Sequence, residues 1–318
     1  MLLSPAPMHI PDGFLSVAVS VLLWLVSIVV IAYALRRVGK DLNERMVPMM
    51  GVLAAAIFAG QMLNFAVAGG TSGHLMGAAI ATILLGPWAA VLVMTSVVSI
   101  QALIFQDGGL LVLGANIFNM AIVGVAVAYF VYRTVLRLTN NTRWGLFAAG
   151  FLAAWCSIVV ASLSVALQLA LSGTTPANLA IPAMLGVHAL IGIGEGLITV
   201  GALAFLYNTR PDLLQAGEGG ANRSSVVWVA GLLIALALVV LAPLASASPD
   251  GLEWVAEQQG FLDTARDPLY NLIPDYVLPG VSNEAAATIL AGFIGALLVF
   301  AMFFAVALLR RRRQAVEN

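Results

Sequence analysis

Apolar positions along the chain gather into nine runs near membrane-crossing length, parted by short segments where Gly, Pro, Asn and the charged residues collect. The runs cover 14–35, 46–67, 74–86, 88–105, 109–132, 145–171, 181–207, 225–246 and 285–309. A helix that crosses about 30 Å of hydrocarbon needs about 20 predominantly apolar residues. The pattern therefore predicts an all-α, polytopic membrane helix bundle: a seven-span unit followed by two C-terminal spans. The third run is short and ends at Gly86-Pro87, so it reads as a partial span or as one arm of a tilted hairpin with the fourth.

The periodic signal breaks over 208–225, where NTRPDLLQAGEGGANRSS brings Gly, Asn, Ser and charge between two apolar runs. We read it as a cytoplasmic linker between a membrane unit at 8–207 and a second unit at 226–318. Residues 1–7 stand apart as a leader or a misassigned start; they carry no basic n-region and do not read as a signal peptide. Between the last two spans, 246–284 holds Asp250, Glu253, Glu257, Asp263, Asp267, Asp275 and Glu284 against the single base Arg266. Such a segment either concentrates cations by its field or is an ordinary solvated loop.

Composition agrees with the pattern. The chain is 61% hydrophobic and 9% charged, with a mean hydropathy of +1.01, far from the roughly 25% charge of a soluble domain. A net charge of -1 leaves no basic surface for nucleic acid. The single cysteine, Cys156, excludes an internal disulfide and reads as packing in an apolar stretch. Short cytoplasmic loops collect Lys and Arg, and an N-terminus outside with a cytoplasmic C-terminus puts every basic residue except Arg266 of the 14 on the inside. The expected location is a prokaryotic inner membrane, with lipid as solvent.

Candidate chemistry rests on three histidines, His9, His74 and His188. A histidine in a membrane protein is commonly a helix-packing hydrogen bonder. The dipeptide Met8-His9 has a more specific consequence if Met8 is the first residue. Its α-amine, the deprotonated backbone nitrogen of His9 and the His9 imidazole then close fused five- and six-membered chelate rings, three nitrogens in a plane. Square-planar nitrogen coordination suits Ni(II) or Cu(II). Pro11-Asp12-Gly13 is turn chemistry able to tuck this terminus back into the bundle. His74, carried by Gly69-Gly70-Thr71-Ser72-Gly73, is the natural fourth ligand, although the same stretch also reads as a plain loop before a helix.

Further polar residues sit where a bundle does not waste them. Gln101, Gln106, Asp107, Asn116 and Asn119 surround the turn between the fourth and fifth runs; Gln101 is the favoured partner of a metal-ligating histidine, with Asn116 and Asn119 either sharing that role or joining helices. His188 and Glu195 share a helical face but lie about 10 Å apart at 1.5 Å per residue, too far for both to bind one ion. Glu195 is an acid deep in a span, where a charge costs on the order of 3 kcal/mol, so it either anchors structure by hydrogen bonding or takes part in release.

The motifs Met8-His9-Ile10-Pro11-Asp12-Gly13-Phe14, Gly69-Gly70-Thr71-Ser72-Gly73-His74 and His188-Ala189-Leu190-Ile191-Gly192 together resemble the CbiM/NikM family, the substrate-capturing S components of energy-coupling factor transporters for cobalt and nickel. The resemblance runs from residue 8 to about 207. Pro249-Asp250-Gly251-Leu252-Glu253 is similar to the PDGLE motif of the small CbiN/NikN partner, here fused at the C-terminus. The resemblance implies Ni2+ or Co2+ as transported substrate, held by Met8, His9 and His74, with no tightly bound organic cofactor. It also implies a CbiQ/NikQ-like membrane coupling protein and a pair of CbiO/NikO-like cytoplasmic ATPases. No Walker A pattern occurs in the sequence, so the chain is expected to be a transporter subunit and not an enzyme. Between the metals, the Irving–Williams order and a deprotonated amide ligand favour nickel. Two other readings share the histidines: an intramembrane metal-dependent hydrolase using His188 and Glu195, which lacks the H-E-x-x-H spacing, and a proton-coupled metal carrier relaying through Glu195.

Overall fold

The computed structural model of the chain describes residues 9–41, 46–214 and 225–317. Residues 1–7, the expected ligand Met8 and residues 215–224 of the expected linker lie outside the described residues.

Twelve helices follow in order: α1 (Val17–Asp41), α2 (Met46–Gln61), α3 (Ala78–Leu85), α4 (Pro87–Ile104), α5 (Leu113–Ile117), α6 (Gly124–Leu138), α7 (Arg143–Leu171), α8 (Ala177–Thr209), α9 (Pro211–Leu214), α10 (Ser225–Val240), α11 (Gly251–Gln259) and α12 (Glu284–Glu317). Among the described residues, six stretches are helical and apolar over a length that crosses a membrane: Val17–Gly39, Pro87–Ile104, Leu113–Leu138, Arg143–Leu171, Ala177–Thr209 and Glu284–Val306. These are the dimensions of a multi-pass membrane bundle. The helix α2 and the apolar stretch Val229–Leu244 are shorter companions.

Two expected spans change character. The third is only the eight-residue α3, buried along most of its length and stopped at Gly86, after which Pro87 takes the first position of α4. Proline suits that position because its missing N–H has no intrahelical partner there. The second does not run to 67: α2 stops at Gln61, and Phe65–Val67 (β1) pairs antiparallel with Thr71–Gly73 (β2) in a small hairpin. The turn needs Gly69 and Gly70, both at positive φ.

The fifth run contains a π-helical turn, Phe118–Val123, between α5 and α6. Such turns commonly mark functional positions, and Asn119 lies in this one. Helices α7 and α8 form a long pair in which Trp155 Nε1 donates to the Ala189 carbonyl at 3.0 Å. On the other side of the bundle, α12 packs on α2 through small residues, with Gly51 against Phe300 and Phe303 and Gly295 against Phe58. Lipid supplies no hydrophobic drive between helices, so this close approach is what joins the C-terminal helices to the first unit.

The acidic segment 246–284, expected to face solvent as a loop, is instead a folded cap tied to the first unit by its backbone. Ser246 N donates to Asn64 O at 2.7 Å, Ser72 N to Pro249 O at 2.8 Å, Arg266 N to Asp12 O at 2.7 Å and Ile273 N to Ile104 O at 3.1 Å. Its apolar residues explain the docking. Leu252, Val255, Ala256, Phe261 and Tyr276 are all buried, and Tyr276 stacks on Phe105 with ring centroids 4.8 Å apart.

Candidate metal-binding site

The N-terminal stretch is held to the bundle by hydrogen bonds on the residues just after His9. Asn116 clamps the next residue at two points, its Oδ1 accepting from Ile10 N and its Nδ2 donating to Ile10 O, each at 3.1 Å. Asp12 accepts from the amides of Leu110, Leu111 and Val112 at 3.1, 2.9 and 3.1 Å. Its role is thus to dock the turn on the loop before α5. Gly108 makes the close passage possible: it sits at φ +94°, and a Cβ there would meet the His9 Cβ at 2.9 Å.

His74 arrives from the opposite side, at the exit of the β-hairpin. The stretch after it is pinned by Glu195, whose two oxygens accept from Met76 N at 2.7 Å and Gly77 N at 2.9 Å. Gln61 Nε2 donates to the Met76 carbonyl at 2.9 Å. The fully buried Glu195 therefore holds the His74 loop through both carboxylate oxygens.

His9 and His74 come together with ring centroids 6.0 Å apart. A ring bound through nitrogen holds its centroid about 3 Å from an ion, from about 2 Å of bond and about 1 Å of ring. Two rings sharing one ion thus have centroids roughly 4 Å apart at adjacent corners and about 6 Å at opposite ones, so the pair stands at the outer edge of that range. They line a cavity of about 100 Å³ together with His188, Asp250, Asn116 and Asn119. Among the described residues, no Lys or Arg lines it.

Hydrogen bonding sets the tautomers. His74 Nδ1 faces the Leu75 carbonyl at 3.1 Å and His188 Nδ1 the Met184 carbonyl at 2.8 Å. A carbonyl only accepts, so Nδ1 carries the proton in both rings and the lone pair resides on Nε2. His9 Nδ1 lies 2.8 Å from Asp107 Oδ1, which orders its ring the same way, and its Nε2 is buried without a hydrogen-bond partner among the described residues. Backbone carbonyls and carboxylates are the usual outer partners of metal-binding imidazoles. Burial opposes protonation of His9, but the Coulombic pull and hydrogen bond of Asp107, with Asp250 further off, hold its pKa above the ordinary 6.5. Asp107 is bracketed on its other oxygen by Tyr276, whose hydroxyl donates to Oδ2 at 2.6 Å.

The five residues 249–253 each have a visible task. The Pro249 carbonyl accepts from Ser72 N and from Thr71 Oγ1 at 3.1 Å. Asp250 caps α11 by accepting from Glu253 N at 2.7 Å and lines the histidine cavity. Gly251 lies against His188, where a Cβ would fall 2.9 Å from Cε1. Leu252 closes the cavity wall, and Glu253 supplies the amide that Asp250 caps.

The remaining expected residues divide. Asn119 faces the cavity but spends its amide on Gln168, with bonds of 3.0 and 2.7 Å between the two side chains. Gln101 is fully buried beside Tyr276, while its carbonyl accepts from Asp107 N at 3.1 Å and so helps seat that acid. The outer acceptor for His9 is Asp107, a residue noted in sequence without being singled out. Asp250 and Tyr276 had no such role assigned; the signal that pointed to Asp250 was its place in a resembling motif, and none pointed to Tyr276. Among the described residues, no three His, Cys, Asp or Glu side chains converge to hold an ion.

Comparison with known proteins gives a consistent picture. The family model for the cobalt uptake substrate-specific transmembrane region matches residues 9–213, and that for the PDGLE domain matches 225–312. A protein of Archaeoglobus fulgidus bearing the name fused nickel transport protein NikMN is 38% identical over 94% of this chain and 98% of its own length. The fused nickel transport protein NikMN of Rhodobacter capsulatus is 35% identical over 79% of this chain and 76% of its own. The cobalt transport protein CbiM of Geobacter sulfurreducens is 33% identical over 85% and 84%. Among solved structures, a truncated transition metal transporter aligns with a TM-score of 0.58 at 35% identity, covering 63% of this chain and 99% of that one.

Proposed function

The chain belongs to the cobalt uptake substrate-specific transmembrane family and carries a PDGLE domain, and from that premise we propose that it captures Ni2+ or Co2+ for an ATP-driven uptake transporter. The observation that carries the reading is the meeting of His9 and His74 at 6.0 Å on one cavity. With no third His, Cys, Asp or Glu converging there among the described residues, the remaining ligands of our set are nitrogens: the Met8 amine and the His9 backbone nitrogen, with the two imidazoles.

Closing the six-membered chelate ring uses His9 Nδ1, which in the structure faces Asp107. Capture through this chelate therefore exchanges the Asp107 contact for the ion, and the proton leaves with it. Binding is pH-dependent for that reason. Nickel is the preferred cargo, because nitrogen donors and a deprotonated amide suit it better than cobalt.

We place the N-terminus outside and the C-terminus in the cytoplasm of a prokaryotic inner membrane, on the arginine distribution. Energy comes from partners, a CbiQ/NikQ-like coupling protein and CbiO/NikO-like ATPases. Titration of purified protein beginning at Met8 with NiCl2 tests the ligand set: His74→Ala is expected to abolish tight binding, and wild-type affinity in that variant sinks it. Uptake that persists with the ATPases inactivated would instead favour a proton-coupled carrier. The anchoring of Glu195 by two amides argues against its use as a hydrolytic base or a proton relay.

A further inference from the structure

Among the described residues, Asp250 is the acid of the C-terminal unit that lines the histidine cavity. It is 6% exposed, and it shares the cavity wall with His9, His74 and His188, with no Lys or Arg among the described lining residues. Capping α11 engages one oxygen, Oδ1, on Glu253 N. A helix cap does not require a charge, since Asn and Ser cap as well as Asp. Nor does it require burial beside three imidazoles. A carboxylate held out of water without a cation is costly, and arrival of a dication reverses that cost.

We propose that Asp250 is a cargo-affinity residue: its carboxylate forms the anionic wall of the capture cavity and strengthens binding of the divalent cation held by the histidines. The proposal rests on the reading that this cavity captures such an ion. Chelation by a deprotonated amide leaves the ion with a net positive charge; Asp107, which gives up His9 Nδ1 to the ion and keeps the Tyr276 hydroxyl, is not among the described residues that line the cavity, whereas Asp250 is. Asp250 is the group placed to balance it. The C-terminal unit thus supplies part of the pocket, and loss of its docking weakens capture even where every nitrogen ligand is intact.

The test compares full-length protein starting at Met8 with its Asp250→Asn, Asp250→Ser and His74→Ala variants, titrated with NiCl2 in detergent and melted without metal. Asn and Ser keep the cap, so the metal-free variants should melt no lower than wild type while Ni2+ affinity falls by about tenfold or more, the usual scale for outer groups of a metal site. Wild-type affinity in either capped variant overturns the proposal and leaves Asp250 a helix cap only. Wild-type affinity in His74→Ala overturns the capture reading itself, and the proposal with it. If Asp250→Asn does not fold, Asp250→Ser decides alone.

Discussion

Tyr276 and Asp107, 169 residues apart, share a 2.6 Å hydrogen bond, and the other oxygen of Asp107 lies 2.8 Å from His9. All three side chains are buried. Through this line Tyr276 of the C-terminal cap is linked to His9 by way of Asp107. Removing the hydroxyl takes a donor from a buried carboxylate, at about 1–3 kcal/mol. Tyr276→Phe should therefore lower the melting temperature of the detergent-solubilised protein, with the stacking on Phe105 retained. An unchanged melt would mean that water or another donor replaces the hydroxyl without loss.

Glu195 holds the loop after His74 by two amide bonds. Hydrogen bonds to a charged group contribute about 1.5–3 kcal/mol each. Glu195→Ala should destabilise by several kcal/mol in sum and also weaken Ni2+ binding, because His74 then loses its fixed position. Glu195→Gln, which keeps an acceptor oxygen, should fall between. A variant with normal stability and lost transport would reassign Glu195 to the ion path.

Gly251 packs on His188 and Ile191, where a methyl group would come within 2.9 Å of the ring and 2.7 Å of Ile191 Cδ1. Overpacking of this kind costs about 1–3 kcal/mol. Gly251→Ala is expected to loosen the cap and expose 246–284 to protease. Combined with His188→Ala, its effect should be smaller than the sum of the two, since the clash and its partner are in contact.

Burial lifts the Asp250 carboxyl from its ordinary 3.8 to about 7, with the Glu253 amide opposing the rise. The folded state then holds a proton that the unfolded chain releases. Its contribution to stability is greatest below about pH 4, declines as pH rises toward 7, and is constant above. In metal-free protein the wild type should lose stability between pH 5 and 7 relative to Asp250→Asn, in which this titration is absent. Thermal melts at the two pH values, in the presence of chelator, check the sign.

How much of this was legible beforehand differs between elements. Apolar runs are local, so their existence showed plainly in the sequence, while the stopping of α2 at Gln61 and the shortness of α3 did not. An apolar residue in a hairpin or half-helix buried by neighbours looks the same in one dimension as one facing lipid. His9 and His74 were singled out by their neighbours along the chain, Met8 and the glycine-rich loop. Their outer partners were harder: Gln101 was favoured, yet Asp107 holds His9 and Asn116 holds Ile10, because the fold of the 105–112 turn decides which polar group points where.

By itself the sequence determined an all-helical bundle suited to lipid, the three imidazoles and the two family motifs, since each depends on residues adjacent or periodic along the chain. Only the tertiary structure decided that the acidic C-terminal segment closes over the N-terminus, that Tyr276 supports Asp107, and that Asp250 faces the histidines. Those pairings join residues far apart along the chain. Hydrogen-bond and charge partners at that separation are selected by packing geometry, which no local pattern encodes.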